Sequence, residues 1–137
     1  MTIYLDTSVV VPLFVDDDHA ARVRAWAKSG PNVALSAWTL TEVTSALSML
    51  VRTKRFTQAE RNDLKKAFDD WSRRGRMLDF DAERFNDARL LLLRHSRLRA
   101  PDALHLAIAR WSGLELATLN GVFREAAIAE GVPVVEL

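Results

Sequence analysis

Ile3-Tyr4-Leu5-Asp6-Thr7-Ser8 is the stretch of sequence that indicates the fold. Its three leading apolar or aromatic residues predict a short buried strand, because no polar residue alternates with them. Asp6 follows directly, and then Thr7 and Ser8, both good helix N-cap residues, precede the apolar run 9–15. This order of strand, acid and helix start puts a carboxylate at the carboxyl end of a strand, where open parallel sheets bind ligands.

The rest of the chain alternates short apolar segments with longer, helix-like ones. The pattern predicts further strands at 33–35, 114–119 and 133–135, and either a strand or an extended connection at 77–80. Helices fill the intervals, which predicts an α/β fold with a short parallel sheet of about four or five strands covered by helices on both faces. No linker or repeat interrupts residues 1–137, so we expect a single domain.

The composition limits the classes of protein to which the chain can belong. Hydrophobic residues make up 49% of its 137 residues, which supports a packed core rather than disorder. The absence of cysteine excludes disulfides, cysteine-ligated zinc and thiol catalysis. No apolar run reaches membrane length and no secretion signal precedes the first strand, so we expect a soluble protein of the cytoplasm, with no membrane contact.

Charge is balanced overall but uneven along the chain. With 19 basic and 18 acidic residues, the net charge of +1 does not indicate a nucleic-acid partner. Segment 52–76 is rich in arginine and lysine, and segment 94–99 holds three arginines and one histidine without an acid. Each segment is explained either by a solvated face or by contact with a phosphate backbone.

Four polar residues recur at corresponding positions of the predicted elements. Asp6 and Asn120 each follow a strand, whereas Glu42 and Asp102 each lie in the first turns of a helix. In a doubly wound sheet these positions converge on one edge, and three carboxylates so close together require a counter-charge. Oxygen ligands of this kind select Mg²⁺ or Mn²⁺ over zinc.

Each acid also has a purely structural interpretation. Asp6 could only cap the helix that follows it. The sequence Thr39-Leu40-Thr41-Glu42 fits the capping-box pattern, and Asp102 could serve only the dipole of its own helix. One turn beyond Asp102, His105 is predicted to be a packed, hydrogen-bonded residue rather than a general base.

Four blocks of the chain resemble the signature motifs of PIN-domain ribonucleases: Tyr4-Leu5-Asp6-Thr7-Ser8, Leu40-Thr41-Glu42-Val43, Pro101-Asp102-Ala103 and Thr118-Leu119-Asn120-Gly121-Val122-Phe123. The resemblance covers essentially the whole chain and looks most like the VapC-type toxins of bacterial toxin–antitoxin pairs. It implies a Mg²⁺- or Mn²⁺-dependent endoribonuclease that acts on structured RNA such as tRNA or rRNA. It also implies a homodimer held inactive by a cognate antitoxin.

The resemblance implies roles for individual residues. Asp6, Glu42 and Asp102 would be the metal-binding acids, with Ser8 and Thr118 as supporting polar groups. The groove for an antitoxin segment is expected between the helix at 8–15 and the helix that carries Leu47 and Leu50, because both are more apolar than a small monomer needs.

Asn120 would complete the catalytic set, but it departs from the family pattern, which usually has an acid there. An amide can accept hydrogen bonds or coordinate a cation without adding charge, so the number of metal ions, one or two, stays open. Two alternatives also stay open: a PIN-like protein that binds RNA or a partner without cutting, and an RNA-processing PIN nuclease that is not a toxin. A haloacid-dehalogenase-type phosphatase is set aside, because it needs an aspartate where this chain has Ser8.

Overall fold

The computed structural model describes all residues from Met1 to Leu137 and contains four strands and seven helices. The strands are β1 (Thr2–Leu5), β2 (Asn32–Ser36), β3 (Arg76–Leu78) and β4 (Glu115–Ala117). The helices are α1 (Thr7–Phe14), α2 (Ala20–Ala27), α3 (Ala37–Arg52), α4 (Gln58–Ser72), α5 (Ala82–Arg94), α6 (Ala100–Ser112) and α7 (Gly121–Ala129). None of these helices combines the length and the apolar composition that crossing a membrane would require.

The four strands form one parallel sheet in the order β3-β2-β1-β4, so the first strand of the chain lies in the interior of the sheet. The predicted α/β fold is confirmed. Two segments differ from the sequence prediction. Strand β4 is shorter than the segment 114–119, and the segment 133–135 contributes only one parallel bridge, between Leu116 and Val134. Pro133 has no N–H group with which to extend that ladder.

Adjacent residues of each strand point to opposite faces of the sheet and enter two different cores. In β1, Tyr4 packs into the core beneath α5, α6 and α7, whereas Leu5 packs into the core beneath α1, α2, α3 and α4. Strands β2 and β4 repeat this division, with the pairs Ala34 and Leu35, and Leu116 and Ala117. Because both faces are covered, the central residues of β1, β2 and β4 are apolar on both sides and do not alternate with polar residues.

Helix α6 is the most deeply buried helix, and every residue from Ala103 to Ala109 is buried. Pro101 lies in its first turn, where its missing N–H costs nothing, and Gly113 ends it in the left-handed conformation at φ 68°. The helix therefore starts at a defined point, next to the carboxyl ends of the strands, and this start positions Asp102.

A cluster of charged side chains around Glu130 joins the ends of α5, α6 and α7. Glu130 lies 2.9 Å from Arg94 Nε, 2.7 Å from His95 Nε2 and 3.2 Å from Arg110 Nη1. The hydrogen bonds from Arg94, with smaller effects of His95 and Arg110, lower the pKa of Glu130 to about 2. The first two basic residues of the segment 94–99 are thus engaged within the protein.

Replacing Glu130 by glutamine is expected to lower the free energy of unfolding by about 1–3 kcal/mol at pH 7, because charge-assisted hydrogen bonds are lost. The pKa of Glu130 is lower in the folded state than its ordinary value of 4.5. The stabilisation is therefore complete above about pH 4.5 and is lost as the pH falls towards 2. Urea unfolding of wild type and Glu130→Gln across this pH range measures the difference.

The matched control for this experiment is Glu125→Gln. Glu125 forms an exposed pair with Arg97 at 3.8 Å, and such pairs contribute little at any pH. Equal stabilities of wild type and Glu130→Gln at pH 7 would show that the cluster does not stabilise the packing of α5, α6 and α7.

Candidate functional site

Asp6 lies where β1 ends and α1 begins, and only 2% of its surface is exposed. Its Oδ1 accepts hydrogen bonds from Ser8 Oγ at 2.6 Å and from the Val9 N–H at 3.3 Å, and its Oδ2 accepts one from Thr118 Oγ1 at 2.7 Å. Burial raises the pKa of Asp6, although these hydrogen bonds and the His105 ring act in the opposite direction. Asp6 caps α1, as the structural interpretation predicted, and it also connects the ends of β1 and β4.

The two hydroxyl groups beside Asp6 are themselves held by the backbone that follows β4. Ser8 Oγ accepts a hydrogen bond from the Leu119 N–H at 2.9 Å, and Thr118 Oγ1 accepts one from the Asn120 N–H at 3.1 Å. Each hydroxyl therefore donates its only proton to Asp6, and a backbone N–H that donates to its oxygen fixes its orientation. Ser8 and Thr118 thus link the Asp6 carboxylate to the backbone that follows β4.

Glu42 lies in the second turn of α3, and 23% of its side chain is exposed. Burial opposes ionisation of Glu42, but hydrogen bonds from His105 Nε2 and from Thr7 Oγ1 outweigh it and lower the pKa. The capping-box interpretation of Glu42 is wrong. The box at the start of α3 consists of Ser36 and Thr39, because the helix begins directly after Ser36, and this leaves Glu42 free to point elsewhere.

Asp102 and Asn120 contact each other across the starts of α6 and α7. Asn120 Nδ2 donates to Asp102 Oδ2 at 3.2 Å, while Asn120 Oδ1 accepts from the Phe123 N–H at 3.2 Å and so caps α7. These two partners assign the orientation of the amide. Both the nitrogen and the oxygen of the Asn120 amide are therefore hydrogen-bonded. Where the family pattern usually has an acid, this chain has an amide that donates to Asp102.

The three acids interact electrostatically with one another. Burial raises the pKa of Asp102 to about 6, and the charges of Asp6 and Glu42 add to this shift, against the opposing effects of His105 and Arg99. No three acidic or histidine side chains have the spacing of a preformed metal cage. The donor set nevertheless fits a divalent cation chemically, because the ligands are hard oxygens whose mutual repulsion such an ion would relieve.

Three residues of the site were not predicted as its members from the sequence: Thr7, Tyr4 and His105. His105 is 1% exposed, with Nδ1 2.7 Å from Tyr4 Oη and Nε2 bonded to Glu42, so its predicted packed and hydrogen-bonded state is confirmed. The sequence did contain a pattern that could have identified Tyr4 and His105 as members of the site. A tyrosine in a buried strand and a lone histidine in an apolar helix must each find a hydrogen-bond partner.

Of the two basic segments of the sequence, only the segment 94–99 has a residue whose charge reaches the acids of this site. Arg99, at the end of the segment 94–99, is the N-cap residue of α6 and is exposed, and its charge acts on the nearby Asp102. The segment 52–76 runs from the end of α3 through α4 to the start of β3, and most of its residues are exposed. The structure therefore places Arg99, but not the longer basic segment, in electrostatic contact with the carboxylates.

The sheet topology and the acids at its carboxyl edge define a class of α/β protein whose site lies between the ends of the central strands and the starts of two helices. Within that class, the model of the PIN domain matches residues 3–129, and the chain belongs to the PIN-domain family. No curated protein matches the sequence.

Several solved structures share the fold. FitAcB from Neisseria gonorrhoeae is 24% identical, with coverage of 98% of this chain and 96% of that chain and a TM-score of 0.72. VapC20 from Mycobacterium tuberculosis, described as a sarcin-ricin loop cleaving toxin, is 23% identical, covers 90% and 94%, and has a TM-score of 0.73. VapBC2 from Rickettsia felis, bound to a promoter DNA fragment, is 19% identical, covers 98% of each chain, and has a TM-score of 0.68.

Replacing Asn120 by aspartate should destabilise the metal-free protein. The variant keeps an N-cap oxygen for α7, but it removes the donor to Asp102 and puts a fourth carboxylate beside it. We expect a loss of about 1–2 kcal/mol in the free energy of unfolding in EDTA, after allowance for solvent screening, and a recovery of most of it in Mg²⁺.

Asn120→Ser is the matched control, because serine also caps the helix but adds no charge. Thermal or urea unfolding of both variants, with EDTA and with Mg²⁺, separates the lost hydrogen bond from the added repulsion. If the aspartate and serine variants are equally stable in EDTA, position 120 is electrostatically independent of Asp102.

Proposed function

We propose that this protein is a divalent-metal-dependent endoribonuclease of the cytoplasm and the toxin of a toxin–antitoxin pair. The observation that carries the proposal is the convergence of Asp6, Glu42 and Asp102 on the carboxyl edge of the sheet in a chain of the PIN-domain family. Such a set of oxygen donors has no evident structural use beyond the capping of α1, and its repulsion raises the energy of the metal-free state. The proposed substrate class is structured RNA, such as tRNA or rRNA.

The proposed chemistry divides between the ion and the chain. Asp6, Glu42 and Asp102 would hold Mg²⁺ or Mn²⁺, and the bound ion would supply activation of water and stabilisation of the charge that develops in an in-line attack on a phosphodiester. Ser8 and Thr118 keep both oxygens of Asp6 oriented by donating to them. Their contribution is preorganisation, because the buried carboxylate needs no rearrangement when substrate arrives.

Two further residues act on the neighbouring groups of the proposed site. Asn120 holds Asp102 through its amide N–H group at 3.2 Å, without adding a negative charge near the RNA. Arg99 is exposed and its charge reaches Asp102, so it is placed to contact a phosphate that flanks the cleaved bond. Contacts to phosphates position RNA without selecting its sequence.

A toxin role is supported by two solved structures that share the fold: VapC20 is described as a sarcin-ricin loop cleaving toxin, and a structure from Klebsiella pneumoniae, 20% identical with a TM-score of 0.65, is described as a toxin–antitoxin complex. A groove suited to an antitoxin segment lies between the end of α1 and the start of α4. Phe14, Val15, Phe56 and Leu64 form its apolar part. On α3, the helix expected as the second wall, Leu47 is 1% exposed and belongs to the core, whereas Leu50 is only partly buried.

A second candidate function is a PIN-domain protein that binds RNA without cutting it. The observation that favours this alternative is Asn120, which contributes no charge for a second cation and has both ends of its amide engaged. A third possibility, an RNA-processing nuclease without an antitoxin, has the same site. A small antitoxin gene beside the gene for this protein would separate that possibility from the proposed toxin.

Purified protein is expected to cut total RNA with Mg²⁺ or Mn²⁺ and to leave it intact in EDTA. Asp6→Asn and Asp102→Asn should each lower the cleavage rate by at least about 100-fold while the protein stays folded, because each removes a charged ligand. Sequencing of RNA 5′ ends after induced expression of wild type and of the Asp6→Asn variant would identify the cut sites.

Asp18→Asn is the control for loss of an acid, because Asp18 is exposed and lies beyond the far end of α1. It should cut at the wild-type rate. Cleavage that persists in EDTA would contradict the metal-dependent mechanism, and folded wild type that binds RNA without cutting it in Mn²⁺ would support the binding protein instead.

A homodimer is the proposed state of the free protein. Helix α5 exposes three large apolar residues, Phe85 (53%), Leu90 (53%) and Leu93 (83%), which is more than a monomeric surface helix requires. Light scattering at micromolar concentration should give twice the mass of the chain, and Leu93→Glu should shift this to the monomer.

Ile128→Glu is the control for the dimer, because Ile128 is also exposed (56%) but lies on α7. It should remain dimeric. A monomeric wild type would contradict the proposed dimer. Dissociation of the dimer by both substitutions would show that the interface is not confined to α5.

A further inference from the structure

A chain of buried hydrogen bonds leads from the core beneath α5, α6 and α7 to the carboxylate of Glu42. Ser36 Oγ lies 2.8 Å from Tyr4 Oη, and Tyr4 Oη lies 2.7 Å from His105 Nδ1. The other ring nitrogen of His105, Nε2, is bonded to Glu42 Oε1, which also accepts a hydrogen bond from Thr7 Oγ1 at 2.8 Å. Five residues from five elements of the fold therefore meet in one network.

The direction of these hydrogen bonds follows from the donors that are available. Glu42 Oε1 belongs to an ionised carboxylate, which can only accept, so the ring proton of His105 is on Nε2. Nδ1 of the neutral ring is then an acceptor, and the fully buried Tyr4 donates its proton to it. Because the Tyr4 proton is used in this way, Ser36 Oγ donates to the Tyr4 oxygen while it accepts from the Thr39 N–H.

The imidazole ring has little freedom to leave this position. It is 1% exposed, and the rings of Tyr4, Trp38 and Phe123 lie around it at centroid distances of 5.6, 6.3 and 6.4 Å. Trp38 is fixed in turn by a hydrogen bond from its Nε1 to the Pro101 carbonyl at 3.1 Å. A ring packed in this way holds its hydrogen-bond donor at a defined point.

Both donors to Glu42 end on the same oxygen. Oε1 accepts from His105 and from Thr7, whereas Oε2 has no hydrogen-bond partner in the protein. The carboxylate is thus held by one oxygen, and the other remains available to a ligand. Oriented carboxylates of this kind are what the outer partners of a metal site provide.

We infer that His105 is a positioning residue: through its hydrogen bond to Oε1 it fixes Glu42 so that Oε2 is presented to the divalent cation. Tyr4 acts on the same carboxylate at one further remove, by selecting the nitrogen of His105 that carries the proton. This inference rests on the proposed function, since the cation belongs to that proposal. It assigns to His105 no contact with RNA and no proton transfer.

Two substitutions of His105 separate its two hydrogen bonds. The amide nitrogen of His105→Gln can reach the position of Nε2 and donate to Glu42. The shorter amide of His105→Asn reaches only the position of Nδ1, so it retains the contact with Tyr4 and loses the one with Glu42. Both variants remove an aromatic ring from the same packed site, so the loss of packing is similar.

The readouts are Mn²⁺ affinity by calorimetry in the absence of RNA, and RNA cleavage with kcat and KM determined separately. His105→Asn should weaken Mn²⁺ binding and lower kcat, each by about 10–100-fold, with KM for RNA unchanged within about twofold. His105→Gln should restore both to within about threefold of wild type. Equal losses in the two variants, or wild-type values in a folded His105→Asn, would overturn the positioning role.

The ring proton can be located in the wild-type protein, without any substitution that affects folding. The ¹⁵N chemical shifts of the imidazole should show a proton on Nε2 of His105, which is readily assigned because the chain has only 3 histidines. A proton on Nδ1 alone would overturn the inference, because Nε2 could then not donate to Glu42.

Failure of this inference is distinguishable from failure of the proposed function. If wild type binds Mn²⁺ and cuts RNA while His105→Asn does both equally well, only the positioning role is lost. If wild type neither binds Mn²⁺ nor cuts RNA, the proposed function is lost and the positioning role is lost with it.

Discussion

The burial of the Asp6 carboxylate is the constraint on which the site depends. A carboxylate that is 2% exposed is costly unless hydrogen bonds replace its water, and here the donors come from α1 and from the segment after β4. These donors can meet Asp6 only if β1 lies next to β4 and both connections leave the sheet at the same edge. One side chain therefore links the strand order to the start of α1.

Sequence patterns predicted the parts of the structure that depend on local preferences. The apolar strand before Asp6 and the helix starts near Glu42 and Asp102 are of this kind. The cap of α3 shows where such reasoning ends. The segment from Thr39 to Glu42 matches the sequence pattern of a capping box, but the N-cap is Ser36, because β2 continues to Ser36, where it pairs with Leu78 of β3.

The partners of the polar groups could not be predicted, because they are far apart in the chain. Tyr4 and His105 are separated by 101 positions, and nothing near either residue identifies the other. Asn120 likewise looks in the sequence like a lost acid, whereas in the structure its amide caps α7 and donates to Asp102. Local sequence shows that a buried polar group needs a partner, but only the tertiary structure shows which one.

The position of β4 beside β1 has a consequence for protein synthesis. A ribosome makes β1 first and β4 last among the strands, and Thr118 is added 112 residues after the Asp6 carboxylate to which it donates. Until then the nascent chain has β1 and β2 but lacks the neighbour that completes the sheet around Asp6. The site is therefore complete only after Thr118 has been synthesised, and a truncated product that stops before α6 lacks both Asp102 and the hydroxyl that Thr118 donates to Asp6.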